Sequence, residues 1–200
     1  MATPVASFGW LPWACGTDYA DSADGPACRH VAEFLRNSDS RFGEKRLRGA
    51  LRLGNSMNIN TTRFGALTID EGDVLTFVDG LIGMETCRRW VLLADAQNPA
   101  LAWLQSLERA EVALAVVSPR RFVPDYECRV ARRDIQPLGL TDPNDAQVLT
   151  IISQANGALA LNLKAPLVIH LAERLGRQIV ARDDHAVQHR LPGAAVRKSA

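Results

Sequence analysis

Two hundred residues, 47% hydrophobic and 22% charged, supply apolar material for one ordinary domain, with or without a substantial tail. A formal net charge of +1 gives no chain-wide electrostatic argument for binding nucleic acid. No apolar stretch approaches the roughly 18–20 residues that span a bilayer, and Pro4, Gly9, Pro12 and Gly16 interrupt the opening residues where a secretory leader would be continuous. The expectation is a cytoplasmic protein with no membrane partner.

Met1 to Ser56 differs in texture from the rest of the chain. Isolated aromatics (Phe8, Trp10, Trp13), a small-residue stretch (Thr17–Ala27) and a basic run from Arg41 to Arg52 build no core of their own. Val31–Arg36 is long enough for a helical turn only. Two readings stand: a poorly ordered extension, or a basic arm that touches RNA or a partner. The change just before Met57 also raises the expectation that the working protein begins there.

Four cysteines, Cys15, Cys28, Cys87 and Cys128, form no C-x-x-C pair, so free thiols are expected. Cys15, Cys28 and His30 offer three zinc-ligand types, at a spacing that matches no common structural site. No metal or cofactor is expected.

From Met57 onward the pattern is of short strands. Ile59–Phe64 alternates polar and apolar residues, Gly65 breaks it, and Leu67–Ile69 resumes. Val74–Phe77 and Arg88–Leu93 come next, with the turn dipeptide Asp79-Gly80 between them. Leu101–Leu104 and Val112–Val117 form a predicted antiparallel hairpin at the centre of the fold. Their link is too short for a parallel crossover. A third strand-like piece, Phe122–Tyr126, returns after Ser118-Pro119.

Arg132–Leu138 has helical character, with Asp134 in its first turn and Gly139 to end it. Asp142–Asp145 is a turn. Ala146–Ser153, Ala158–Leu163, Leu167–Leu171 and Gln178–Ala181 then read as strands, separated by Asn156-Gly157, Ala165-Pro166 and Arg174–Gly176, and Ala186–Gln188 reads likewise. Many short strands with turn chemistry between them indicate an all-β sandwich or barrel. Pro192 to Ala200 closes the chain as a short basic tail.

Catalytic motifs are absent from this pattern: there is no phosphate-binding Gly-rich loop, no G-x-S-x-G and no H-E-x-x-H. His185 and His189 are four apart, a metal-pair spacing on a helix but over 13 Å on a strand at about 3.3 Å per residue. His170 has the character of a general base or of a strand-end residue, and Asp125-Tyr126 of a polarised phenol or of a buried tyrosine seeking an acceptor. Polar residues inside apolar strands stand out: Gln105 and Ser106, and Asn162 before Pro166. A buried Asn or Gln hydrogen-bonds backbone and pins a loop or an edge strand, and Asn162 and Pro166 mark either a corner where the chain changes sheet or a partner-binding rim.

These pieces together resemble the flagellar assembly factor FliW family. The matching motifs are N-T-T-R-F-G at Asn60–Gly65, D-E-G-D-V-L-T-F at Asp70–Phe77 and D-G-L-I-G-M-E at Asp79–Glu85. W-L-Q-S at Trp103–Ser106, V-P-D-Y at Val123–Tyr126, L-G-L-x-D-P at Leu138–Pro143, N-L-K-A-P-L-V-I at Asn162–Ile169 and G-R-Q at Gly176–Gln178 complete the set. It covers Met57 to about Pro192, leaving residues 1–56 as an extension and 193–200 as a tail. The chain departs from the family's usual G-x-P-G-F-E at Ile82 and Met84, and carries His170 where Asn is expected.

The resemblance implies a small antiparallel β-barrel-like domain with one or two short helical turns, and a binding function without catalysis. Its implied partners are the translational regulator CsrA and flagellin. Flagellin would occupy the protein while it accumulates; once exported, it would leave the protein to sequester CsrA and relieve repression of flagellin translation.

An RNA-binding regulator carries basic surface, and Asp70, Glu71, Asp73, Asp79 and Glu85 supply acidic side chains within sixteen residues. Gln105, Asp125, Tyr126, Asn162 and Pro166 complete the expected contact set. No direct nucleic-acid contact is expected. The rival readings are a metal-dependent hydrolase using His170, His185 or His189, and RNA binding through the basic N-terminal arm.

Overall fold

The computed structural model describes residues 55–142, 145–155 and 157–195. The N-terminal extension up to residue 54, with Cys15, Cys28, His30 and the basic run, lies outside the described residues, as do residues 143, 144, 156 and 196–200.

Eleven strands run in chain order: β1 (Ser56–Thr61), β2 (Gly65–Asp70), β3 (Val74–Phe77), β4 (Arg89–Ala94), β5 (Ala102–Ser106), β6 (Ala113–Val117), β7 (Ala146–Ala155), β8 (Ala158–Leu161), β9 (Leu167–His170), β10 (Leu175–Gln178) and β11 (His189–Ala195). β1 and β2 make a separate hairpin whose turn is closed by Thr61: its hydroxyl accepts from Phe64 N–H at 2.9 Å and donates to Gly65 C=O at 3.0 Å. The other nine form one sheet in the order β11-β8-β7-β6-β5-β4-β3-β10-β9, and β9 also pairs with β7. That extra pairing closes seven strands, β3–β7 with β9 and β10, into a barrel and removes their free edges.

β7 makes closure possible because it is long enough to serve three neighbours. Ala146–Leu149 pair with β9, Thr150 and Ile151 with β6, and Ile152–Ala155 with β8. The central hairpin forms as expected, with Leu104 opposite Leu114. Alternation along β5 sorts the core. Ala102 and Leu104 face the barrel interior with Leu75, Phe77, Trp90, Leu149 and Ile169. Trp103 faces outward under the β1–β2 hairpin, with Met57, Ile59, Phe64 and Leu67 packed over Val91, Leu93 and Trp103. Removing this second layer from water is the reason a two-stranded ribbon, marginal alone, stays in place.

The predicted helix is real and short. α1 (Arg132–Ile135) passes into a 3-10 turn at Gln136–Leu138, and Gly139 ends it at φ 64°. The expected turn before β7 closes with Asp145 N–H donating to Asp142 C=O at 3.0 Å.

Three strand expectations are corrected. Phe122–Tyr126 is no strand: Pro119 starts a 3-10 turn, and Pro119 and Pro124 carry no N–H for a ladder. The strand expected at Gln178–Ala181 lies at Leu175–Gln178, through the Gly176 read as a turn residue. The residues just after it still pair by backbone, with Ile179 N–H to Pro166 C=O at 3.0 Å and Ala181 N–H to Lys164 C=O at 2.8 Å. Ala186–Gln188 precedes its strand rather than forming one, and β11 continues past Pro192 to Ala195.

Candidate partner-binding surface

β3 and β10 run parallel, Leu175 beside Thr76 and Gly176 beside Phe77. Two acid–arginine pairs bridge them. Before β3, Asp73 meets the Arg174 guanidinium at 3.4 Å; after it, Asp79 meets Arg177 at 2.9 Å. The acidic residues contiguous in sequence therefore fall into two groups, separated by a strand of four residues, about 13 Å. At the lower end Asp70 caps a 3-10 turn by accepting from Gly72 N–H at 2.7 Å, and Glu71 is exposed. At the upper end Asp79 and Glu85 are exposed. Glu85 accepts from Gly83 N–H at 2.8 Å, and such backbone hydrogen bonds hold its carboxyl below the usual glutamate range.

The upper group belongs to a built rim. Gly80 N–H donates to Phe77 C=O at 2.9 Å, and Met84 N–H to Leu81 C=O at 2.7 Å, so Leu81–Met84 is a tight turn with Gly83 at φ 81°. Gln178 ties this turn to the β8–β9 connection: its side-chain oxygen accepts from Ile82 N–H at 2.9 Å and its amide nitrogen donates to Ala165 C=O at 3.2 Å. Asn162 stiffens that connection by accepting from Ala165 N–H at 3.0 Å, and Tyr126 supports it by donating from its hydroxyl to Leu163 C=O at 2.8 Å. The structure thus brings Asp79, Glu85, Asn162 and the 162–166 corner together, leaving Asp70, Glu71 and Asp73 at the other end.

Three expected contact residues are buried and offer no surface. Gln105 is fully buried; its amide donates to Ser106 C=O at 2.9 Å, with longer contacts to Arg109 and Ala110 carbonyls that secure the β5–β6 turn. Tyr126 is 3% exposed, stacked on His185 at 4.8 Å between ring centres, and burial pushes its phenol well above the ordinary tyrosine range, so it stays a donor. Pro166 is buried, its carbonyl holding Ile179. Asp125 is exposed on the turn before Tyr126. Sequence reasoning missed Gln178, although G-R-Q marked the place.

The histidines do not assemble a centre. His170 is buried with Nδ1 on Leu138 C=O at 2.9 Å, and His185 Nε2 lies 2.7 Å from Glu127 C=O. Among the described residues no three His, Cys, Asp or Glu side chains cluster as a metal ion requires, and nothing in the structure supports the hydrolase reading. Cys87 and Cys128 are free thiols, and burial raises the Cys128 thiol above its usual range, the opposite of an activated nucleophile. Among the described residues no helix is long and apolar enough to cross a membrane.

Asp183 fastens the segment between β10 and β11 to the one that follows Tyr126. Its carboxylate accepts from the backbone N–H and the guanidinium of Arg129, and its carbonyl accepts from Lys164 Nζ at 2.6 Å. The two Arg129 hydrogen bonds hold the Asp183 carboxyl below the ordinary aspartate range. A depressed folded-state pKa gives stability that is present above the unfolded value and lost as pH falls through the folded one. D183N is therefore expected to melt below wild type at pH 7. Thermal melts of the two should converge as pH falls below the ordinary aspartate value of about 4; curves that stay parallel there would show that Asp183 does not carry this link.

A closed seven-stranded β-barrel with tied-down surface turns and exposed acids at its upper end places the chain among small-barrel domains. Similarity to known proteins makes the class specific. The family model described as FliW protein matches residues 58–191. A flagellar assembly factor FliW of Bdellovibrio bacteriovorus is 37% identical over 131 residues, 64% of this chain and 75% of that protein. One from Natranaerobius thermophilus is 32% identical over 139 residues, 68% of this chain and 92% of its own. A crystal structure of a flagellar assembly factor FliW superposes with a TM-score of 0.62 at 27% identity, covering 68% of this chain and 96% of that one. The chain belongs to the FliW family of flagellar assembly factors.

Proposed function

We propose that this chain is a non-enzymatic cytoplasmic binding switch in flagellum assembly: it sequesters a CsrA-type translational regulator, and flagellin competes for it. Family membership supports the flagellar role. The observation that carries the binding reading is the set of exposed acids Glu71, Asp79 and Glu85 on a barrel whose interior is filled by side chains. A barrel with a packed interior binds by its surface. Acidic surface attracts an RNA-binding partner, whose own surface must be basic, and raises the rate of encounter. Two proteins drawing on one pool of a third are coupled by mass action, and the switch needs no chemical step.

The test is calorimetric titration of the full chain with a CsrA-type regulator, alone and with flagellin present. Binding that flagellin weakens supports the switch; absence of binding to both proteins removes it. Charge reversal then divides the surface. D79K/E85K is expected to weaken regulator binding about tenfold or more and to flatten its salt dependence, because those acids flank the built rim. E71K/D73K, at the other end of β3, should change the salt slope less; the reverse order would move the interface to the lower end.

A further inference from the structure

Exposed large apolar side chains need a reason when they are grouped and held rigid. Val78, Ile82 and Val180 are 58%, 60% and 56% exposed, and the topology gathers them at the upper rim. Val78 is the next residue after the Phe77–Gly176 pair that ends the β3–β10 ladder. Ile82 is hydrogen-bonded to Gln178. Val180 lies two residues beyond Gln178, on the same side of an extended segment.

Ile82 is displayed there by construction. It occupies the second position of a four-residue turn whose flanks face inward: Leu81 is 1% exposed and Met84 packs against the barrel core. Gly83 at φ 81° closes the turn, and the Gln178 side chain fixes the Ile82 amide. The side chain cannot collapse onto the core without undoing both. A preorganised apolar projection binds at lower entropic cost than a mobile one.

Charge surrounds it. Asp79 is 61% exposed, and Arg177, which contacts it, is held from behind by donating to Asp134 C=O at 2.9 Å. Asp79 is thus oriented yet open to a second cation. Glu85, kept ionised by the turn's backbone, lies on the far side of the same turn. An apolar centre with a polar, charged rim is the anatomy of a protein–protein hot spot.

We propose that the upper rim is an anchor site centred on Ile82, with Val78 and Val180 beside it, for a protein segment that carries apolar side chains next to a lysine or arginine. The apolar side chains cover the triad, and the cation reaches Asp79. This deepens the binding reading above and rests on it: apolar contact at Ile82 sets the lifetime of the complex, and the acids set the rate of encounter.

The experiment compares wild type, I82D and V180S as full chains, titrated with the regulator and with flagellin, with thermal melts as a folding control. The two substitutions are at exposed positions, so melting temperatures should stay near wild type. The expected result is a loss of about thirtyfold or more in affinity for the regulator with I82D and a smaller loss with V180S. The loss should fall mainly on the dissociation rate and persist at high salt. Wild-type affinity in both variants, with the wild-type chain binding, overturns this inference and leaves the binding switch standing. Failure of wild type to bind either protein overturns both. A wild-type dimer in sedimentation that I82D dissolves would assign the rim to a second copy of this chain and overturn the proposal.

Discussion

Replacing Gly176 by alanine is expected to destabilise the barrel by about 3 kcal/mol and to lower its melting temperature by about 10 °C. Gly176 sits in β10 directly beside Phe77 of β3. A Cβ at that position would lie 2.4 Å from Phe77 Cζ and 2.5 Å from Cε2, so the ring passes across bare backbone. Phe77 is fully buried among Leu75, Trp90 and Ile169. It cannot swing toward solvent, and close-packed cores give little. Either the ring leaves its position or the β3–β10 pairing opens, and that parallel pairing is a link in the barrel's closure.

Shrinking the ring tests the cause. F77L alone leaves a cavity, but F77L/G176A should recover part of the loss, because the added methyl occupies vacated space. A double-mutant cycle with a stabilising coupling would confirm the contact. A G176A protein that melts with wild type would show that the ring does not lie over the strand.

The same glycine explains what could not be read in the sequence. Gly after Arg174-Leu175 has the chemistry of a turn, and only the partner strand reveals that the missing side chain is a seat for an aromatic ring. Local signals succeeded where local physics decides: β3 at Val74–Phe77, the central hairpin, and the helix that Gly139 ends. The Asn162–Pro166 corner was legible too. It carries the chain from β8, on the far half of β7, to β9 on the near half.

The candidate site was legible in residue type and not in arrangement. Five acids within one short stretch suggest one patch, but a strand between Asp73 and Asp79 places them at opposite ends. Gln105 and Tyr126 look like recognition residues because they are polar in apolar surroundings. The Gln105 amide nitrogen and the Tyr126 hydroxyl instead donate to backbone carbonyls inside the fold. Ile82 stood out only as a departure from the family's usual motif, since exposure is a property of the turn that holds it.

That turn makes a second prediction of similar size. Gly80→Ala is expected to cost about 3 kcal/mol and to weaken partner binding with it. Gly80 adopts φ 69°, where an alanine suffers the clash of its Cβ with the next carbonyl, about 1–2 kcal/mol. The added Cβ would also stand 2.6 Å from the Cα and carbonyl oxygen of Glu85. These are backbone atoms of the same loop, which cannot rotate aside as a side-chain end can. Relief requires Glu85 to move, and with it the carboxylate that holds Gly83 N–H and the turn that displays Ile82.

Gly83→Ala separates the two contributions. Gly83 has φ 81° but open space around its missing Cβ, so only the conformational cost applies, about 1 kcal/mol. Thermal melts should therefore rank wild type above G83A and G83A well above G80A. Titrations with the regulator should show the largest affinity loss in G80A. If G83A and G80A melt together, backbone conformation alone governs this loop. The close approach of Glu85 to Gly80 would then not be what holds the rim in shape.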